Sequence, residues 1–537
     1  MNGHATSKHS LPFQESMGLL DEKSLSDVDS EAGHADLESR FTHQTRIWIS
    51  RAHSCTSRLR SASCWRALFL RTGFFLLPSF VQSRFSRGDL NNNGRDRTLS
   101  PTAYLDGMRG LAALFVFFCH YLYTCFVIAQ GWGYGEDNYH IMKLPFLRLL
   151  YQGPPMVCVF FVISGYALSL KPLKLMRAPR RLDALASTMS SLIFRRGLRL
   201  FLPTAISTLL IVLLLRVGLY EWTREFAYDD RYMKNVQEIH YERFPTAAEQ
   251  MGDWCWQMFN FVHVWDWDIF AGSTAIDVHL WTIPVEFRSS MMLFLVLLGT
   301  ARVRTAVRFV VVAVAMAFAY HSNRWEMLLF YSGMVLAEVD IIRGVHGDTL
   351  TLPTSEHDTT NFPPSTSPPA PPHTRQPTNH RHLWTALSIL ALYLMSQPDK
   401  GGESTPGWVF LTSLIPSWWE DQYRYWQSLG AVLLVLAVGR SPAWQRLFNT
   451  GVVQYLGRIS YALYLMHGPV MHTVGYAMER RAWAITGTEG AAYNWGFVLA
   501  GVFVVPTVVW VADIFWRAVD APVVRIARGV EGWCCRE

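Results

Sequence analysis

Three stretches of this chain carry ionisable side chains into apolar sequence, where charge is expensive. The first is Leu105 to His120, LDGMRGLAALFVFFCH. Arg109 and His120 are eleven residues apart. At ~100° per residue that is roughly three turns plus 20°, so both lie on one helix face, ~16 Å apart along its axis. The second stretch runs from His279 through Trp281 to Glu286, and the third, Tyr461 to Pro469, contains His467. A buried imidazole titrates near neutrality and can act as a general base, taking the proton of a hydroxyl as that hydroxyl attacks. A carboxylate beside it would orient and polarise it. Each group also has a plainer reading. A lone His in a helix bundle is more often a helix–helix hydrogen-bond partner, and Arg109 can snorkel to an interface. Glu286 is harder to set aside, because a carboxylate at that depth needs a partner or a wet cavity.

The elements that must position these groups are membrane helices. The chain has 537 residues, 50% hydrophobic and only 17% charged, with 21 Trp and 32 Phe. Soluble domains carry about 25% charged residues. The reading is all-α: a polytopic membrane helix bundle with about ten transmembrane helices, so that the partner is a lipid bilayer. The spans fall near 109–128, 153–171, 199–219, 281–299, 306–321, 325–342, 383–397, 425–439, 455–476 and 494–516. Net charge is +6, but no nucleic-acid module is present. Eight cysteines without regular spacing give neither a disulfide framework nor a zinc site, and no metal is expected.

Loop charge sets the direction. Residues 171–199 carry Lys171, Lys174, Arg177, Arg180, Arg181, Arg195, Arg196 and Arg199 against the single acid Asp183. Loops 300–308 and 440–454 are basic without acids, whereas residues 220–280 hold eleven Asp/Glu against four Lys/Arg. The positive-inside rule then places both termini in the cytosol. Residues 1–100 read as a disordered cytosolic tail with a possible interfacial helix at 65–82, and residues 101–517 as the membrane domain. A Pro/Ser/Thr-rich cytosolic insert occupies 345–381, and 518–537 form a cytosolic tail. With ~1.5 Å of rise per residue, His120, Glu286 and His467 all fall in the middle or outer half of the bilayer core, so the three can converge if their spans are neighbours.

These segments resemble the acyltransferase-3 family of integral-membrane O-acyltransferases, in a fungal-type form. LDGMRGLAALFVFFCH is similar to the family's first span, with Arg, ten residues, then His. Phe160 to Tyr166 resembles its FFxxSGY/F segment, and Arg195 to Pro203 its RRxxRxxP segment. Leu280 to Glu286 resembles LWTLxxE, and Tyr461 to Pro469 resembles YxLYLxHxP. The five occur in the family's order across roughly residues 100–517. Bacterial members commonly have a second acid after the glutamate, where this chain has Phe287.

The resemblance implies an enzyme that moves an acyl group, usually acetyl, from acyl-CoA to a hydroxyl of a carbohydrate or small metabolite. His120 is then the general base or a transient acyl carrier, with Glu286 and His467 as further catalytic groups. Arg109, Arg195, Arg196 and Arg199 would bind CoA on the cytosolic side. Ser164, Tyr166, His279 and Trp281 would contact substrate. A proton-coupled transporter of a small organic solute would also bury His and Glu, but no internal repeat between halves is visible. A non-catalytic membrane scaffold is the third reading, and would not need His120.

Overall fold

The ten apolar spans are each helical over most of their length in the structure, a computed structural model that describes residues 70–86, 99–135, 138–178, 182–265, 274–345 and 378–534. The main helices are α1 (Ala103–Tyr123), α2 (Gly153–Arg177), α3 (Leu182–Val217), α4 (Thr282–Gly299) and α5 (Thr305–His321). They continue with α6 (Trp325–Ile342), α7 (Thr378–Met395), α8 (Arg424–Arg440), α9 (Gly451–Val470) and α10 (Gly490–Phe515). Among the described residues there is no strand, only an isolated bridge between Gln130 and Lys400. Five of the described helices are long and apolar enough to cross a membrane: α1, α2, α3, the segment Val278–Gly299 containing α4, and the segment Gly490–Cys534 that begins with α10. The chain is thus an integral membrane protein. The expectations for residues 1–69 and for most of the Pro-rich insert, 346–377, lie outside the described residues.

Local chemistry explains the helix ends. α2 opens with prolines in its first turn, where the missing N–H has no intrahelical partner to lose. Polar residues inside α3 are absorbed by its own backbone: Thr204 and Thr208 donate to the carbonyls of Leu200 and Thr204 at 2.7 and 3.1 Å. α3 begins earlier than the charge pattern suggested. The basic run Arg195–Arg199 is not a loop but the middle of a helix of 36 residues.

Packing rests on small residues. α1 lies along α9, and α2 along α6. Gly110 faces the backbone of Leu456 and Gly457, and Gly107 faces the Phe448 carbonyl. Gly165 faces the backbone of Phe330, and Gly333 that of Val162. In lipid there is little hydrophobic drive between helices, so close backbone approach at such residues supplies the contact. Gly333→Leu should therefore destabilise the fold by about 3 kcal/mol, the upper end for overpacking, because the obstacle is backbone. Gly252 is the control, since a side-chain carbon added there would meet nothing within 4 Å among the described residues. Gly252→Leu should keep the wild-type melting temperature in detergent while Gly333→Leu falls well below it. α1, α3, α9 and α10 share one core containing Phe117, Leu200, Leu463 and Val504.

α10 does not stop at the membrane edge predicted near 516. It runs through a π-helical turn, Trp516–Asp520, into a helix Ala521–Cys534. The described part of the segment predicted as interfacial at 65–82 is docked on α10. Ser79 donates its N–H and hydroxyl to Asp513 at 2.9 and 2.6 Å. Arg517 donates to the carbonyls of Phe75 and Leu77 at 2.6 and 3.0 Å and to Asp513 at 2.9 Å.

Candidate active site

Three histidines meet where α1 and α9 end. His120 lies in the last turn of α1, and His467 near the end of α9. His279 comes from a short 3-10 turn, Val278–Trp281, leading into α4. The His120 and His467 rings are stacked with centroids 5.3 Å apart, and His279 stands edge-on to His120 at 4.2 Å. One nitrogen from each of the three lies within 4.8 Å of the others. His279 and His467 are buried, while His120 is a residue of intermediate exposure.

The three are held differently. His279 donates Nδ1–H to Asp277 at 2.7 Å and Nε2–H to Glu238 at 2.8 Å. Carboxylates only accept, so both ring nitrogens are donors and the ring is an imidazolium. Asp277 also caps the turn, accepting the backbone N–H of His279 at 3.1 Å. Gly468, just after His467, leaves room for this pair: a side-chain carbon there would stand 2.8 Å from the Asp277 carboxylate and 2.9 Å from the His279 ring. His467 donates Nδ1–H to the Leu463 carbonyl at 3.2 Å. Its Nε2 is buried with no hydrogen-bond partner among the described residues, and so is His120 Nδ1. Three nitrogens this close have the spacing of a metal site, but both nitrogens of His279 are already committed to carboxylates, so a metal there would have to displace one.

Glu238 is the surprise of the site. It sits in the loop after the helix Leu219–Ala227 and is 4% exposed. Besides His279, it accepts from the Tyr123 hydroxyl and from His472 Nε2–H at 3.0 Å. Pro469 lacks the N–H that would continue the α9 ladder, and a π-helical stretch, Met471–Gly475, follows and carries His472. The sequence reading does not single out Glu238, Asp277 or His472. The Asp-x-His spacing of 277–279 was a local signal for Asp277. Nothing local distinguishes Glu238 from the other acids of its loop.

The remaining expected residues are distributed elsewhere. Glu286 does not join the histidines. It lies two turns beyond His279, ~10 Å along the helix, and pairs with Arg196 at 2.7 Å while accepting the Ser164 hydroxyl at 3.1 Å. The physical reason is that the turn at Val278–Trp281 is already inside the bundle, so His279 takes the level assigned to Glu286. Arg196 is 5% exposed and also donates to Ser290 at 3.1 Å. Of the four arginines expected to bind CoA, it is therefore committed to a partly buried pair. Arg195 pairs with Glu531 at 3.0 Å and Arg109 with Asp106 at 3.3 Å, while Arg109 and Arg199 both act on Asp520. Tyr166 donates to Asp340 at 2.9 Å, away from the imidazoles. Trp281 lies beside His279 in the chain, with the Arg424 guanidinium 5.2 Å from its ring.

Comparison with known proteins adds to this geometry. The acyltransferase-3 family model, an acyltransferase domain, matches residues 102–341 and 372–517. The chain is 32% identical to the O-acetyltransferase PaAT-1 of Phomopsis amygdali, over 84% of this chain and 87% of that protein. It is 28% identical to Acyltransferase R4 of Phoma sp. (strain ATCC 20986 / MF5453), over 79% of this chain and 95% of the relative. It is 27% identical to Acyltransferase clz18 of Cochliobolus lunatus, over 79% and 94%. No solved structure matches the chain.

Proposed function

Because this chain belongs to the acyltransferase-3 family and is an acyltransferase, we propose that it transfers an acetyl group from acetyl-CoA to a hydroxyl of a small metabolite or carbohydrate, with His120 as general base. The observation that carries this reading is the gathering of His120, His279 and His467 on one another, with His120 at intermediate exposure and its Nδ1 unpartnered. The O-acetyltransferase name of one relative supports the acetyl group and the oxygen acceptor.

In the proposed reaction the acceptor hydroxyl gives its proton to His120 as its oxygen bonds to the thioester carbonyl carbon. The His279 imidazolium, flanked by Asp277 and Glu238, provides positive charge beside the developing oxyanion. The C–S bond then breaks and the thiolate leaving group takes the proton back from His120. His467, stacked on His120, keeps that ring in place. Arg109, near the opposite end of α1 from His120, and Arg199 on α3 are the groups that would hold the CoA phosphates. Ten crossings with both termini cytosolic would put that end at the cytosolic face and the imidazoles in the far half of the bilayer.

The test uses purified full-length protein, acetyl-CoA and a panel of hydroxyl compounds. Free CoA thiol should appear only with the right acceptor, together with a product heavier by one acetyl group. Solute uptake into vesicles with acetyl-CoA left intact would instead favour a transporter.

A further inference from the structure

Residues 228–246 join the helices Leu219–Ala227 and Ala247–Phe261 without regular structure of their own. Around residue 238 the burial is inverted. Val236 and Ile239 are 40% and 59% exposed, whereas Glu238 and His240 are 4% and 0% exposed. The hydrophobic effect favours the opposite arrangement, so specific polar bonding must hold the ionisable pair inside.

That bonding is on one carboxylate. Glu238 accepts from the Tyr123 hydroxyl at the end of α1, from His279 Nε2–H ahead of α4, and from His472 Nε2–H after α9. Burial by itself raises this carboxyl, but His279 and His472 overcome it and hold it well below the ordinary carboxylate range. His240 extends the chain. Burial, with His472 beside it, pushes its imidazole down to about 3. Neutral His240 donates Nε2–H to the Tyr220 carbonyl at 2.7 Å, which leaves its Nδ1 to accept His472 Nδ1–H at 2.9 Å. Around His120 stand the rings of His279, His467 and Tyr123, at 4.2, 5.3 and 5.4 Å. Glu238 bonds two of those three directly, and through His472 it holds the chain just beyond His467.

We propose that Glu238 is a positioning residue for acyl transfer: its carboxylate fixes the rings of Tyr123 and His279 around His120, and His472, backed by His240, fixes Glu238. This rests on the reading of His120 as the base. The acidic loop is then part of the catalytic apparatus.

The experiment measures kcat and KM for full-length protein in nanodiscs with acetyl-CoA and its acceptor. Glu238→Gln keeps the shape but turns one acceptor oxygen into a donor that faces donors. It should lower kcat on the order of 10²-fold, the scale of a small misplacement of reacting groups. KM for acetyl-CoA should stay unchanged. Glu238→Asp should recover part of the loss, and His472→Gln should show a smaller drop of the same kind. Wild-type kcat in Glu238→Gln, or a loss confined to KM, overturns the proposal. If Glu238→Gln does not fold, wild-type kcat in Glu238→Asp and His472→Gln overturns it equally. His120→Ala separates the two ideas. An active His120→Ala removes the underlying reading, whereas an inactive one alongside a normal Glu238→Gln removes only this inference.

Discussion

Replacing His120 by alanine is expected to lower kcat on the order of 10³-fold, within the range that general-base catalysis contributes. The expectation follows from how little else the ring does. Among the described residues no side-chain hydrogen bond from His120 ties one element to another, and its Nδ1 is buried without a partner. Removing it should leave α1 intact, since that helix is held by Phe117 in the core and by the close contact of Gly110 with α9. The melting temperature should therefore stay near that of the wild type while CoA release with the acceptor falls to background. His467→Ala should cost less, because that ring supports His120 and has its Nδ1–H committed to the Leu463 carbonyl. Full turnover by folded His120→Ala would remove the general-base assignment. A stable covalent acetyl on His120 in the wild type would replace it with the acyl-carrier route.

The second large effect concerns Glu286, and it is an effect on the fold. Glu286→Ala leaves the Arg196 guanidinium buried with its carboxylate partner gone. Breaking the pair from one side costs about 1–3 kcal/mol, below the range for a fully buried pair, because the Glu286 side chain is 22% exposed and water screens the charge left behind. Ser164 loses its acceptor as well. Glu286→Gln should be milder, since an amide oxygen can still accept from Arg196 and Ser164. The paired substitution Arg196→Met with Glu286→Leu should recover most of the stability lost in Glu286→Ala, as replacing both ions by apolar groups often does. Thermal unfolding in one detergent would check the series. Equal melting temperatures for Glu286→Ala and the wild type would show that the pair contributes nothing. The same series addresses the role expected from sequence. If Glu286 acted directly on an imidazole, Glu286→Gln would lose activity without losing stability.

Several features were legible before any coordinates. The ten apolar runs are each helical over most of their length, and five of the described helices are long and apolar enough to cross a membrane. The separation of Arg109 and His120 requires a single continuous helix, and α1 is continuous over Ala103–Tyr123. His467 followed by Gly468 and Pro469 stands out on its own span, and the structure gives each a use: a ring in the cluster, space for Asp277, and a break in the α9 ladder.

What sequence by itself determined was therefore the main apolar helices and the costly polar groups along each one. Periodicity carries that information because it acts within a single helix. Which polar groups meet was decided by tertiary structure. A shift of two turns at the start of α4 exchanged Glu286 for His279 beside His120, and the early start of α3 brought Arg196 to Glu286. An irregular loop placed Glu238 among three donors from distant parts of the chain. None of these has a local signature, because helix neighbours, rotations and loop paths follow from packing the whole bundle. A buried carboxylate reveals its purpose only when its partners surround it.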